Sequence, residues 1–114
     1  MSLFRTVPLK RISFTLGTRV KGRWTEGKPD ETSFMGTAQP ATGKILELLP
    51  EGKRSSETIL VFAPITMEFT AADSEAQRSG DIIVWEGRRY EVQIVRKYAS
   101  FLLSHWELVA SRVL

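Results

Sequence analysis

The sequence predicts an all-β chain: a small antiparallel β-barrel of about six or seven strands, with one short helix near residues 42–49. Three observations carry this. Gly80 to Val95 reads as one long hairpin, in which two β-branched, aromatic-rich runs flank a polar corner containing Gly87. Further short apolar runs recur along the chain between glycine- and proline-bearing turn signals. A sheet of such short strands removes its exposed edges most simply by closing on itself.

Taken in order, residues 1–11 read as a flexible N-terminal arm, because Pro8 and a polar bias argue against a regular element, and residues 12–114 read as a single barrel domain. From Ile12 the pattern alternates, with Ile12, Phe14 and Leu16 on one side and Ser13 and Thr15 on the other. Gly17 marks a bend, and Val20 and Trp24 carry the run to Thr25. Glu26 to Glu31 has the composition of a loop, and Ser33 to Gln39 forms the next strand, closed by Pro40. In Thr42 to Leu49, the residues Ile45, Leu48 and Leu49 fall on one helical face, with Thr42 as N-cap and Pro50-Glu51-Gly52 as the stop. Glu57 to Ala63 is a compact strand ended by Pro64. Ile65, Met67 and Phe69 alternate like a short strand, and Ala71 to Ser79 reads as loop. In the hairpin, Ile82 to Trp85 is nearly continuous in apolar character and suits a strand covered on both faces. Tyr90, Val92 and Ile94 point one way, Glu91 and Gln93 the other. The last strand runs from Phe101 to about Arg112, with His105, Glu107 and Val109 on one side and Trp106, Leu108 and Ala110 on the other.

Length and composition fit one soluble globular domain: 114 residues, 42% apolar and 25% charged. Cysteine is absent, which excludes disulfides and thiolate metal sites and fits a reducing cytoplasm. The N-terminus lacks a signal-peptide core, and no apolar run approaches the ~20 residues of a membrane helix. The net charge of +3 is unevenly placed: Arg5, Lys10, Arg11, Arg19, Lys21, Arg23 and Lys28 crowd the first thirty residues, and Arg88, Arg89, Arg96 and Lys97 surround the hairpin. Such surface attracts nucleic acid or an acidic partner; it also serves as solvated strand faces and charge-protected edges.

Chemistry is sparse. His105 is the single histidine, with Glu107 two residues on, and it reads as structural rather than catalytic or metal-binding. Asp81, Glu86 and Glu91 could supply carboxylates, but nothing pairs them, and Asp81 beside Gly80 reads as a turn cap. Gly43-Lys44 lacks the glycine spacing and following Ser/Thr of a phosphate loop. Trp24, Trp85, Tyr90, Tyr98 and Trp106 could form a base-stacking platform with the arginines, but aromatics at alternating strand positions more often serve core or barrel packing. The expectation is of no enzyme and no cofactor.

Three blocks in order carry a resemblance: Gln39-Pro40-Ala41-Thr42-Gly43 leading through Leu46-Glu47-Leu48-Leu49-Pro50-Glu51-Gly52-Lys53-Arg54; Gly80 to Val92; and His105-Trp106-Glu107-Leu108-Val109-Ala110. Over roughly residues 12–112 this resembles the small head–tail joining proteins of tailed bacteriophages and prophages, also called head-closure, stopper or neck proteins. The resemblance implies a non-enzymatic β-barrel subunit forming a ring between portal and tail, continuing or closing the DNA channel. It would reside in the host cytoplasm during assembly and then in the virion neck. Its partners would be further copies of itself, portal or adaptor proteins, tail proteins and, non-specifically, channel DNA, with no membrane involved. Gln39, Pro40, Leu49, Pro50, Glu51, Gly52, Gly80, Asp81, Trp85, Gly87, Tyr90 and His105 match the pattern as fold-defining positions, Trp85 and Tyr90 facing each other near the hairpin end and Gly52 and Gly87 allowing unusual backbone angles. Arg5, Lys10, Arg11 and Lys28 are the candidate contacts to partner or DNA. The competing reading is a small nucleic-acid-binding barrel that uses the basic clusters and the aromatics.

Overall fold

A computed structural model of the chain describes residues 6–14, 18–20, 23–25, 29–49, 57–73, 78–99 and 104–113. The described elements are β1 (Val7–Phe14), β2 (Thr18–Val20), β3 (Arg23–Thr25), β4 (Pro29–Pro40), α1 (Gly43–Leu46), β5 (Thr58–Pro64), β6 (Ile82–Trp85), β7 (Arg88–Ala99) and β8 (Ser104–Arg112). Six strands close into a barrel in the order β1-β4-β5-β8-β7-β6, every neighbouring pair antiparallel. β2 and β3 form a separate two-stranded sheet. The expected class and architecture are thus observed.

Strand alternation explains how one short chain fills the barrel. In β5, Ile59, Val61 and Ala63 point into the interior, where Leu9, Phe34, Ile83, Tyr90, Val92, Leu108 and Ala110 meet them. Leu60 and Phe62, at the intervening positions, point outward. Leu60 joins Leu49 and Val109 in a second cluster on the outside of the wall, flanked by Ile45, Leu46, Phe62 and Ile94. α1 is a single turn, far too short to persist alone, and is held by this outer cluster. The face it lays down is Ile45, Leu46 and Leu49; Leu48, expected on that face, is half exposed. Thr42 occupies the N-cap but makes no side-chain capping bond.

The hairpin is as read. Trp85 pairs with Arg88, and the two-residue turn between them has Glu86 at φ 51° and Gly87 at φ 75°. Positive φ at both central residues is the signature of the hairpin turn whose twist matches that of its strands. Gly87 therefore does what its position suggested; Pro50, Glu51 and Gly52 lie outside the described residues. Ile82 to Trp85 is covered less than expected: only Ile83 is fully buried, and its neighbours are half-buried.

Three details correct the sequence reading. The first strand starts at Val7, not Ile12, so residues 7–11 belong to the barrel wall rather than to an arm. Pro8 is tolerated because β6 pairs with β1 only from Lys10 to Ile12, leaving no ladder on that side for Pro8 to interrupt. β4 likewise begins at Pro29, within the expected loop. β7 carries a bulge between Val92 and Ile94. It flips the facing, so Tyr90, Val92 and Val95 face the interior while Ile94 joins the outer cluster.

Ile65 to Phe69 is turn and coil rather than the expected short strand, and the described residues from Ala71 to Asp81 outside 74–77 carry no named strand, as expected for a loop. Together they form a strap whose side chains Met67, Phe69 and Ala71 pack against the interior cluster. Several hydrogen bonds among the described residues fasten the strap. The Trp106 indole N–H donates to Met67 O at 2.6 Å, and the Arg11 guanidinium donates to Glu68 O. Thr70 and Asp81 bond each other, and Ala72 N–H donates to Val92 O at 2.9 Å. Side-chain and loop partners thereby replace the ladder that a strand would have used.

Candidate functional surface

Two groups of polar side chains stand out, and both serve the fold. At one end of the barrel Glu57 gathers three donors: Arg88 at 3.2 Å, Arg112 at 3.1 Å and the Tyr90 hydroxyl at 3.4 Å. These tie the approach to β5 to the start of β7 and the end of β8. Burial pushes the Tyr90 phenol above its ordinary pKa; the negative charge of Glu57 adds to this, and Arg88 opposes it. Beside the strap, Asp81 is buried and accepts the Thr70 N–H, while Glu91 accepts the Gly80 N–H at 3.0 Å. The carboxylates Asp81 and Glu91 are thus spent on backbone donors, which is the turn-fastening role read for Asp81.

The second feature is a groove of about 310 Å³ on the outer wall, lined by Thr6, Met35, Thr37, Phe62, Ala63, Pro64 and His105. Register builds it. Thr37 pairs with Phe62 across β4–β5, Pro64 pairs with His105 across β5–β8, and His105 pairs with Tyr98 across β8–β7. The His105 ring stacks on Tyr98 at 4.9 Å and meets Phe62 edge-on at 5.0 Å. Met35 is 54% exposed and Tyr98 52%. The groove continues the outer apolar cluster beyond the part that α1 covers. Among the described residues its lining carries no Lys, Arg, Asp or Glu, and that lining suits an uncharged apolar group.

The sequence-derived positions fall out as follows. Leu49 is buried and anchors the end of the helical turn in the outer cluster. Gln39 and Pro40 are exposed on β4 opposite Leu60 and Ile59, and among the described residues no side-chain contact explains a fold-defining role for Gln39. At Gly80, a Cβ would lie 2.3 Å from Val92 O and 2.7 Å from Ala72 N, so only glycine fits between strap and β7. Trp85 and Tyr90 touch, with ring centroids 6.2 Å apart, as a diagonal pair; directly opposite Tyr90 stands Ile83. His105 is half-buried between two aromatic rings. Of the basic contacts, Lys10 faces outward, 3.6 Å from Glu31. Arg11 turns to the barrel mouth, over the Phe69 ring at 5.5 Å and bonded to Glu68 O and Thr32 Oγ1, so it fastens the strap instead of offering free charge. Arg5 and Lys28 lie outside the described residues.

Among the described side chains, Trp85, Tyr90 and Trp106 pack against the interior and Tyr98 lies on His105, so these four do not line up as a base-stacking platform; the Trp24 side chain lies outside the described ones. The groove residues Met35, Phe62 and Pro64 went unnoticed in the sequence. The available signal was that Thr58 to Ala63 is apolar at both parities: one set fills the barrel, and the other needs cover outside.

No protein-family description matches the chain, and no curated protein does. Among solved structures, the chain is similar to the phage-like element PBSX protein xkdH of Bacillus subtilis, with a TM-score of 0.53 at 16% identity. The likeness covers 97% of this chain and 96% of that one, so the two share a fold from end to end.

Proposed function

We propose that this chain is a structural protein of a phage or prophage, a head–tail connector subunit that assembles as a ring between portal and tail and continues or closes the DNA channel. The observation that carries the reading is the end-to-end fold likeness to a phage-like element protein. It joins the head–tail joining resemblance of the Gln39–Arg54, Gly80–Val92 and His105–Ala110 blocks.

The surface is compatible with that role. A closed ring needs two different faces on each subunit, one meeting the other on the neighbour. The Met35–Phe62–His105 groove is an uncharged apolar face, while Lys10, with Arg5 and Lys28 in the sequence, provides charge for acidic partner surface or channel DNA. The subunit works by binding and not by catalysis. The nearest clustered carboxylates, Asp81 and Glu91, hold backbone amides of the strap. In this reading the chain folds in the host cytoplasm, meets its portal or adaptor partner, and remains in the virion neck.

Inactivating the gene in the phage or prophage that carries it tests the proposal. The expected result is filled heads that lose DNA, together with unattached tails, restored by supplying the chain in trans. Normal tailed, infectious particles without the chain would overturn it.

A further inference from the structure

We propose that the β2–β3 ribbon binds the backbone of double-stranded DNA. The inference rests on strand register, on the ribbon's separation from the barrel and on charge, and it stands independently of the connector reading.

The ribbon keeps the register of the β1–β4 hairpin. β1 and β4 pair from Val7↔Gly36 to Phe14↔Pro29, and β2 and β3 pair from Thr18↔Thr25 to Val20↔Arg23. Thr18 and Thr25 lie four positions beyond Phe14 and Pro29 respectively, so one register serves both ladders. The barrel wall is left behind before the ribbon begins. Among the described residues, β6 pairs with β1 only from Lys10 to Ile12, and β5 pairs with β4 only from Thr37 to Pro40. β2 and β3 form a sheet of their own and make only marginal contact with the other named elements. The molecule is elongated, 56 × 31 × 29 Å, in keeping with a ribbon that stands off the barrel. A two-stranded ribbon alone is marginally stable in water, so this one is suited to a partner that covers it.

Its residues indicate which partner. The register sets Arg19 opposite Trp24 and Val20 opposite Arg23, with Thr18 opposite Thr25. Strand alternation then gives one face Thr18, Val20, Arg23 and Thr25, and the other Arg19 and Trp24. Each large apolar residue is matched with an arginine, so neither face is apolar throughout, as the core of a protein–protein interface would require. Arginine and threonine are donors to phosphate oxygens. The charge has one sign: Arg5, Lys10, Arg11, Arg19, Lys21 and Arg23 all precede the first acidic residue, Glu26. Within the barrel, Lys10 meets Glu31 and Arg11 fastens the strap, whereas β2 and β3 carry arginine and no acid. A two-stranded ribbon also has the width that the DNA major groove admits, with phosphates along both its walls. Binding of this kind is electrostatic and indifferent to base sequence.

Fluorescence anisotropy of a short labelled DNA duplex, titrated with the intact chain at several salt concentrations, tests this. The expected result is binding that weakens steeply as salt rises. Arg19→Gln with Arg23→Gln should bind more weakly, and its log–log salt slope should be shallower by about two, since each phosphate neutralised contributes about 0.9. Arg89→Gln with Lys97→Gln removes the same charge from exposed positions of β7 and should leave the slope unchanged. No binding to the duplex at low salt, or equal losses in the two double variants, would overturn the proposal. Binding of polyglutamate in preference to the duplex would also overturn it and assign the ribbon to an acidic protein. None of these outcomes bears on where the chain sits in a particle.

Discussion

Thr70 and Asp81 hold each other from both directions. The Thr70 N–H donates to Asp81 Oδ2 at 2.8 Å, and the Asp81 N–H donates to Thr70 O at 2.9 Å. Asp81 O in turn accepts from Val92 N–H at 2.8 Å, so one buried aspartate joins the strap to β7. Asp81→Ala leaves the Thr70 amide without its acceptor and should cost about 1–3 kcal/mol, the usual penalty for an orphaned buried donor. Urea unfolding reads this directly. A midpoint equal to that of the unmodified chain would show that the strap does not depend on Asp81.

Gly80 and Gly43 should respond to alanine in opposite directions. The Gly80 Cβ would strike backbone atoms on both sides, which cannot swing away, so Gly80→Ala should destabilise by roughly 1–3 kcal/mol or more. At Gly43, in the helical turn, nothing lies within 4 Å of an added Cβ. Gly43→Ala should therefore stabilise by roughly 0.4–1 kcal/mol through the unfolded chain. Thermal midpoints of the two variants check the contrast.

Tyr90 and Trp85 should be unequal. Tyr90 is fully buried and Trp85 only half so. Tyr90→Ala should cost roughly 3–5 kcal/mol, the range for removing a large core aromatic, and Trp85→Ala less. Equal losses, measured by denaturant unfolding, would mean that the hairpin end packs differently.

The same tyrosine sets an alkaline limit. Its pKa is raised in the folded state, so over the window above about 10 the folded chain holds a proton that the unfolded chain has released. That contribution is complete below the unfolded value and is lost as pH rises through the raised folded value. Stability should therefore fall above pH ~10, and more steeply in the unmodified chain than in Tyr90→Phe, which has nothing to ionise. Parallel curves for the two proteins would contradict this.

Much of this fold is legible in the residues. The hairpin showed because Ile82–Trp85 and Arg88–Val95 keep strand character around a glycine corner, and β5 showed because Thr58–Ala63 is densely β-branched and apolar. The bulge in β7 did not show. Glu91-Val92-Gln93-Ile94-Val95 supports either facing for Ile94, and the choice is made by the outer cluster formed with Leu49, Leu60 and Val109. The early start of β1 was hidden by Pro8, whose cost depends on where β6 ends. The strap mimics a strand because Met67, Phe69 and Ala71 dip inward in turn, yet its backbone is satisfied by Trp106 and Arg11, far away in the sequence, and by Asp81 at its own end. The groove was invisible for a related reason: it gathers residues of β4, β5 and β8 that only barrel closure brings side by side.

The proposed role makes one spatial claim that can be seen directly. Particles made by the phage or prophage encoding the chain can be labelled with an antibody against it and viewed by electron microscopy. The account predicts label at a single position, the junction between head and tail. Label spread over the capsid shell, confined to the distal tail, or missing from complete particles would contradict it.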